Sequence, residues 1–295
     1  MSDRIIYWRF YLQCIKRNCT FFTTTGRKSA HHAPNSIEFA DEVKTMIVQE
    51  DEVMVSFDVV SLFTKIPVEL ALEVTQRRLM DLTEFENYTN WSIENVCQGL
   101  KICLESTLLH FRGKNYKQGF GTAMGSRVLT VVANIVMEDI ESRARKTSFC
   151  SPRLWKRYVV DTFVLIEQKH LTNFADHINK VESSIKLTME TETNGSIPFL
   201  DVLVKKGTMG QISTSVFRKA THTGRYLNYR SEHPLQHKRS VVNTLLHRAD
   251  TICNDKKDRQ VEIAIVKTSL IENGYPESVI RFPNKRYESK QKEET

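Results

Sequence analysis

The sequence predicts an α+β chain, an antiparallel sheet backed by helices and followed by a basic helical region. Three observations lead there. Short runs rich in β-branched residues recur at 53–60, 154–166 and 187–204, each of a length and composition that suit strands or hairpins. Unequal numbers of amphipathic helices separate them, so the order lacks the regular alternation of a parallel α/β sheet. Beyond Pro234 the apolar spacing is helical, and a polar tail closes the chain.

Taken in order, residues 1–35 show no clean period, because aromatics mix with Arg and the run Thr23-Thr24-Thr25-Gly26-Arg27 interrupts them. Asn35-Ser36 then reads as a helix N-cap, with Phe39, Val43, Met46 and Ile47 at helical spacing. Val53–Val60 is a buried strand with Asp58 near its end. Helices are expected over Val68–Leu82 and Trp91–Leu109, the second opened by Ser92 and carrying Val96, Leu100, Cys103, Leu104 and Leu108. Phe111–Tyr116 reads as a hairpin or turn around Gly113 and Asn115. Gly119, Gly121 and Gly125 form a loop before the helix that begins near Val128. Leu154–Ile166 is β-like on both sides of Val160-Asp161, and Leu171–Val181 is helical. Leu187–Thr193 alternates with period two, Asn194-Gly195 marks a hairpin turn, and Ile197–Val204 returns as a strand.

At 295 residues the chain is long enough for one or two domains with a full core. No apolar run approaches the roughly 20 residues that span a bilayer, and the first residues lack a secretory h-region. The chain is expected to stay inside the cell, with no membrane partner. Cys14, Cys19, Cys97, Cys103, Cys150 and Cys253 are scattered without a CxxC pair, which suits free thiols better than zinc or a disulfide framework. The formal charge is +7, and between Lys205 and Asp250 nine Lys/Arg stand against two acids. That block is interleaved with Phe217, Tyr226 and Tyr229, a pattern suited to phosphate contacts and base stacking, or to a solvated basic face.

Phosphoryl transfer to a growing strand needs two divalent ions held by carboxylates on rigid neighbouring strands. Asp58 suits one such carboxylate and Asp161 half of an adjacent pair. Here the residues carry a resemblance. The segment from Ser56-Phe57-Asp58 through Phe63 to Ile66-Pro67 resembles the first catalytic motif of Penelope-like retroelement reverse transcriptases. Gly121-Thr122-Ala123-Met124-Gly125-Ser126, continuing to Ala133-Asn134-Ile135, resembles the second. Lys156-Arg157-Tyr158-Val159-Val160-Asp161 resembles the family's Tyr-Val-Asp-Asp hairpin, and Ile197-Pro198-Phe199-Leu200-Asp201 its primer-grip region. Thr221-His222-Thr223-Gly224-Arg225-Tyr226 with His233-Pro234-Leu235 looks like the thumb that follows.

The resemblance implies a polymerase right-hand palm over 36–206, a thumb-like basic helical region over 207–282 and a tail over 283–295, with no recognisable fingers in 1–35. It implies Asp58 and Asp161 as catalytic Mg²⁺ ligands, and Phe63, Gln118 and Gly125 at the incoming nucleotide. Arg218, Lys219, Arg225, Tyr226, Lys238 and Arg239 would hold nucleic acid. Expected partners are an RNA template, a DNA primer and deoxynucleoside triphosphates, and the expected compartment is the nucleus. Two departures bear on activity. Val160 stands where the family has the first aspartate of its pair, and valine cannot bind Mg²⁺. Loss of a central catalytic group costs about 10⁴- to 10⁶-fold in turnover. Arg127-Val128-Leu129-Thr130 replaces the family's Pro-Leu-Ser-Pro and loosens the loop. Two readings follow: an impaired RNA-directed DNA polymerase, or a non-catalytic nucleic-acid-binding remnant or co-opted host protein.

Overall fold

A computed structural model describes residues 31–82, 85–87, 89–105, 108–117 and 127–280. In chain order its first elements are α1 (Ser36–Val43), β1 (Glu52–Val59), α2 (Leu62–Lys65), α3 (Val68–Met80), α4 (Ile93–Glu105), β2 (Leu108–Phe111) and β3 (Lys114–Lys117). There follow α5 (Arg127–Thr147), β4 (Leu154–Tyr158), β5 (Asp161–Glu167), α6 (Leu171–Val181) and β6 (Leu187–Thr191). The last are β7 (Ser196–Phe199), β8 (Val202–Lys206), β9 (Ile212–Val216), α7 (Leu235–Ile252) and α8 (Lys256–Glu272). Two compact units result, Met1–Pro34 with Asp51–Thr191, and Asn35–Glu50 with Glu192–Thr295.

The first unit is built on an antiparallel sheet of order β4-β5-β1-β6. Helices lie between β1 and β4 and between β5 and β6, the split β-α-β arrangement. Alternation along β1 turns Val55, Phe57 and Val59 into the core, where they join Val132, Ala133, Val136, Met137, Ile140 and Ala144 of α5. Trp155 bridges the layers, with its ring 5.8 Å from Phe57 and 5.8 Å from Phe174 of α6.

One expected helix is shorter than its pattern. α4 stops at Glu105, and Leu108 and Leu109 belong to a strand paired with Lys117 and Tyr116. The cause is the two-residue turn Arg112-Gly113, whose φ values of 48° and 75° are the type I′ geometry that closes a hairpin. Gly113 makes that turn, while Asn115 lies within β3.

The second unit carries the sheet β7-β8-β9, with α1, α7 and α8. Asn35 caps α1 as expected, its Oδ1 accepting from Glu38 N at 2.9 Å, and Phe39 sits 4.5 Å from the Phe199 ring. The helix ends at Val43, however. Met46 and Ile47 lie outside it, because the chain leaves to bridge the sheet edge: Ile47 pairs with Gln211, and Val48 N donates to Gly210 O at 2.8 Å. Val242, Leu245 and Leu246 of α7 pack with Val266 and Leu270 of α8 and with Tyr275.

Ile197–Val204 is likewise two strands rather than one. Leu200 adopts φ 56° and turns the chain, and Asp201 O accepts from Phe217 N at 2.8 Å while its carboxylate pairs with Arg248 at 2.9 Å. Asn194-Gly195 does turn the chain, but between Thr193 and Ser196 only, since β6 pairs with β1. The units therefore divide at 191/192. Lys205 and Lys206 pair with Ser213 and Ile212, and α1 packs on α7, so these segments sort with the C-terminal helices. No helix among the described residues is long and apolar enough to cross a membrane. Cys97, Cys150 and Cys253 carry free thiols, and burial pushes those of Cys97 and Cys253 up.

Candidate active site

The alternation that buries Phe57 and Val59 sends Asp58 to the opposite, exposed face of the sheet. Asp58 stands directly opposite Asp161 of β5, with Thr188 of β6 on its other side, where Thr188 Oγ1 donates to Asp58 O at 3.3 Å. Directly opposed residues bring their Cβ atoms to about 4.5–5.5 Å, where like charges repel unless a cation lies between them.

Asp161 also pairs with Tyr158, so Val159 and Val160 alone form the β4–β5 loop. Val159 adopts φ 55°, a region that β-branched residues avoid and that costs about 1–2 kcal/mol. Val160 is half-buried and packs against the core of the first unit. Val160 thus anchors the hairpin by apolar contact, and neither valine places a ligand beside Asp161.

A buried polar network supports this turn. Arg157 is only 3% exposed, and its Nη1 donates to Val159 O at 3.0 Å and to Asn134 Oδ1 at 2.8 Å. Its Nε lies 2.7 Å from Glu141 Oε1. Burial pushes the Glu141 carboxyl up, against the pull of Arg157. Nearby, His31 Nε2 faces the Arg145 guanidinium, so Nε2 accepts and Nδ1 carries the proton toward Trp155 O, 3.3 Å away. Burial and Arg145 both lower the His31 pKa. In the sequence Arg157 and Asn134 stand out only as parts of motifs. A signal was present in Glu141, an acid four residues after Met137 and eight after Ala133, on the core face of α5.

Phe63 of α2 is half-buried against the first unit's core. Gln118 and Gly125 lie outside the described residues. Among the described residues no group of three or more His, Cys, Asp or Glu could hold a metal ion. A hard divalent ion takes six or more oxygens, and a two-ion centre shares several carboxylates. Asp58 and Asp161 alone do not fit a two-ion centre.

In the second unit the basic residues divide. Arg218 is consumed by a bidentate pair with Glu262 at 2.5 Å, which holds the guanidinium above its ordinary pKa. Lys238 donates to Ser231 O at 2.7 Å and sits 5.3 Å over the Tyr229 ring. Lys219, Arg225 and Arg239 are exposed, and Tyr226 is half-buried against the α7–α8 core. Along α7 the outward residues Gln236, Arg239, Ser240, Asn243, Thr244 and His247 recur at helical spacing without one acid. The period of this polar stripe is visible in the sequence, but its outward orientation is set only by the packing of α7.

A family model described as an animal helix-turn-helix domain matches residues 225–283, which take in α7, the turn after it and α8. No curated protein matches the chain. Among solved structures, apo telomerase from Candida tropicalis aligns with TM-score 0.58 and 12% identity over 92% of this chain and 50% of that one. Telomerase from Candida albicans, in complex with a TWJ fragment of telomeric RNA, aligns with TM-score 0.57 and 11% identity over 89% and 46%. The 3Dpol RNA-dependent RNA polymerase of a sicinivirus aligns with TM-score 0.51 and 12% identity over 83% and 52%. The chain spans about half the length of these proteins. With its antiparallel sheets and mixed helices, the chain has a nucleic-acid polymerase-like fold.

Proposed function

We propose that this chain is a reverse-transcriptase-like domain of a Penelope-like retroelement, impaired in polymerase chemistry and still able to bind nucleic acid. One observation carries the reading: Asp58 faces Asp161 across neighbouring strands, and valine occupies the turn position beside them. The opposed carboxylates are what a polymerase needs, and the valine removes the donor that would complete the set. Magnesium and deoxynucleoside triphosphates would engage fully only with that donor restored. The telomerase solved with a fragment of telomeric RNA supports nucleic acid as a ligand; under this reading the ligand is an RNA template with a DNA primer, in the nucleus. Primer extension with Mg²⁺ tests the reading. Wild-type protein should extend at least about 10⁴-fold more slowly than Val160→Asp. Robust wild-type extension that Asp58→Ala abolishes would refute the impairment.

A second reading is a non-catalytic nucleic-acid-binding remnant or co-opted host protein. It is favoured by the helix-turn-helix match and the acid-free stripe of α7. Under it Val160→Asp restores nothing, while binding to duplex still weakens steeply with salt. Failure of duplex binding at low salt would remove both readings.

A further inference from the structure

The β2–β3 hairpin has no role in the site above, yet its surface chemistry is specific. Its sequence, Leu108–Lys117, carries Arg112, Lys114 and Lys117 and no acid. Phe111 pairs with Lys114, and alternation puts Tyr116 on the same face, diagonal to Phe111. Both rings are open to solvent, Phe111 at 59% and Tyr116 at 48% exposure. Diagonal neighbours lie about 7–8 Å apart, so the two rings form a short platform. The positive φ of Arg112 brings its guanidinium 5.2 Å from the centre of the Phe111 ring. On the other face His110 Nδ1 lies 2.8 Å from Asn115 Oδ1, which ties the strands without using the rings.

We infer that this hairpin binds single-stranded nucleic acid, with Phe111 and Tyr116 stacking on bases and Arg112 and Lys114 contacting phosphates. Two exposed aromatics on a polar hairpin would otherwise be an unfavourable display of apolar area. Cations with no acid among them favour a polyanion, and bases offer faces to the rings irrespective of sequence. An acidic protein would use the cations and leave the rings idle. The inference rests on the nucleic-acid reading above and adds a second, strand-selective surface to it.

The test uses the full chain and fluorescence anisotropy with two probes, a single-stranded oligouridylate and an RNA–DNA hybrid duplex. Phe111→Ala and Tyr116→Ala should each weaken oligouridylate binding about 5- to 150-fold and leave hybrid binding unchanged. Phe111→Trp should retain binding and show fluorescence quenching on addition of oligouridylate. Both side chains are exposed, so the fold tolerates these changes, and circular dichroism checks that it does. Oligouridylate affinity within twofold of wild type in both alanine variants would overturn the inference. So would an equal loss on the hybrid, or a polyglutamate peptide that binds with the same sensitivity to the aromatic variants. Wild-type protein that binds hybrid but not oligouridylate defeats the hairpin alone. Protein that binds neither defeats the nucleic-acid reading with it.

Discussion

Arg157→Met removes a guanidinium that is 3% exposed and leaves Glu141, itself 4% exposed, without its partner. Breaking a buried pair from one side costs about 3–5 kcal/mol, because a charge stays buried and uncompensated. The freed carbonyl of Val159 adds about 1 kcal/mol. The single variant should therefore lose about 4–6 kcal/mol at neutral pH. Glu141→Gln alone should cost a comparable amount, and the double variant only about 0–2 kcal/mol, a coupling of at least about 6 kcal/mol. The effect is pH-dependent in a known direction. Burial raises the Glu141 carboxyl in the folded state, and loss of Arg157 raises it further. The folded protein then holds a proton that the unfolded chain releases, so stability is largest at low pH and falls as pH rises. The deficit of Arg157→Met should thus narrow on going from pH 7 to pH 5. Urea titrations followed by circular dichroism on both singles and the double measure this cycle. Single costs below about 1 kcal/mol, or additivity within about 0.5 kcal/mol, would refute the account of the network.

Further outcomes follow from the same structure. His31, lowered by burial and by Arg145 and Lys156, should stabilise the first unit above its ordinary pKa of 6.5 and lose that contribution as pH falls below it. His31→Gln should flatten the dependence of the urea midpoint between pH 7 and 5, and an unchanged slope would count against it. Arg218→Ala should destabilise the second unit in urea, since Glu262 is left buried and unpaired. By contrast, Arg239→Ala should leave stability unchanged and reduce the salt slope of duplex binding by about 1. Gly210→Ala should cost more than about 1 kcal/mol, because φ is 79° and its Cβ would lie 2.2 Å from Val48 O; a smaller shift in the urea midpoint would refute the close approach.

Local signals in the chain were legible where one residue type settles one geometry. Asn35 capped α1, Leu171–Val181 formed α6 with its expected bounds, and Asp58 lay near the end of β1. They misled where pairing overrode period. Leu108 continues the apolar spacing of α4, but the Arg112-Gly113 turn recruits it to a strand. Val204 continues the run from Ile197, yet the turn at Leu200 folds β8 back on β7.

By itself the sequence determined most of the order of strands and helices, short of β9 and of the turn at Leu200, and it displayed the basic block and the positions of Asp58, Asp161 and Val160. Periodicity, caps and side-chain chemistry are local properties and can be read along the chain. Only the tertiary structure decided that Asp58 faces Asp161 across adjacent strands. It also decided that Arg218 serves Glu262, 44 residues away, and that Arg157 of β4 holds the strained turn through Asn134 and Glu141 of α5. A cation's role depends on which acid folding places beside it. That choice is made by long-range packing, where burial raises the cost of leaving any charge alone.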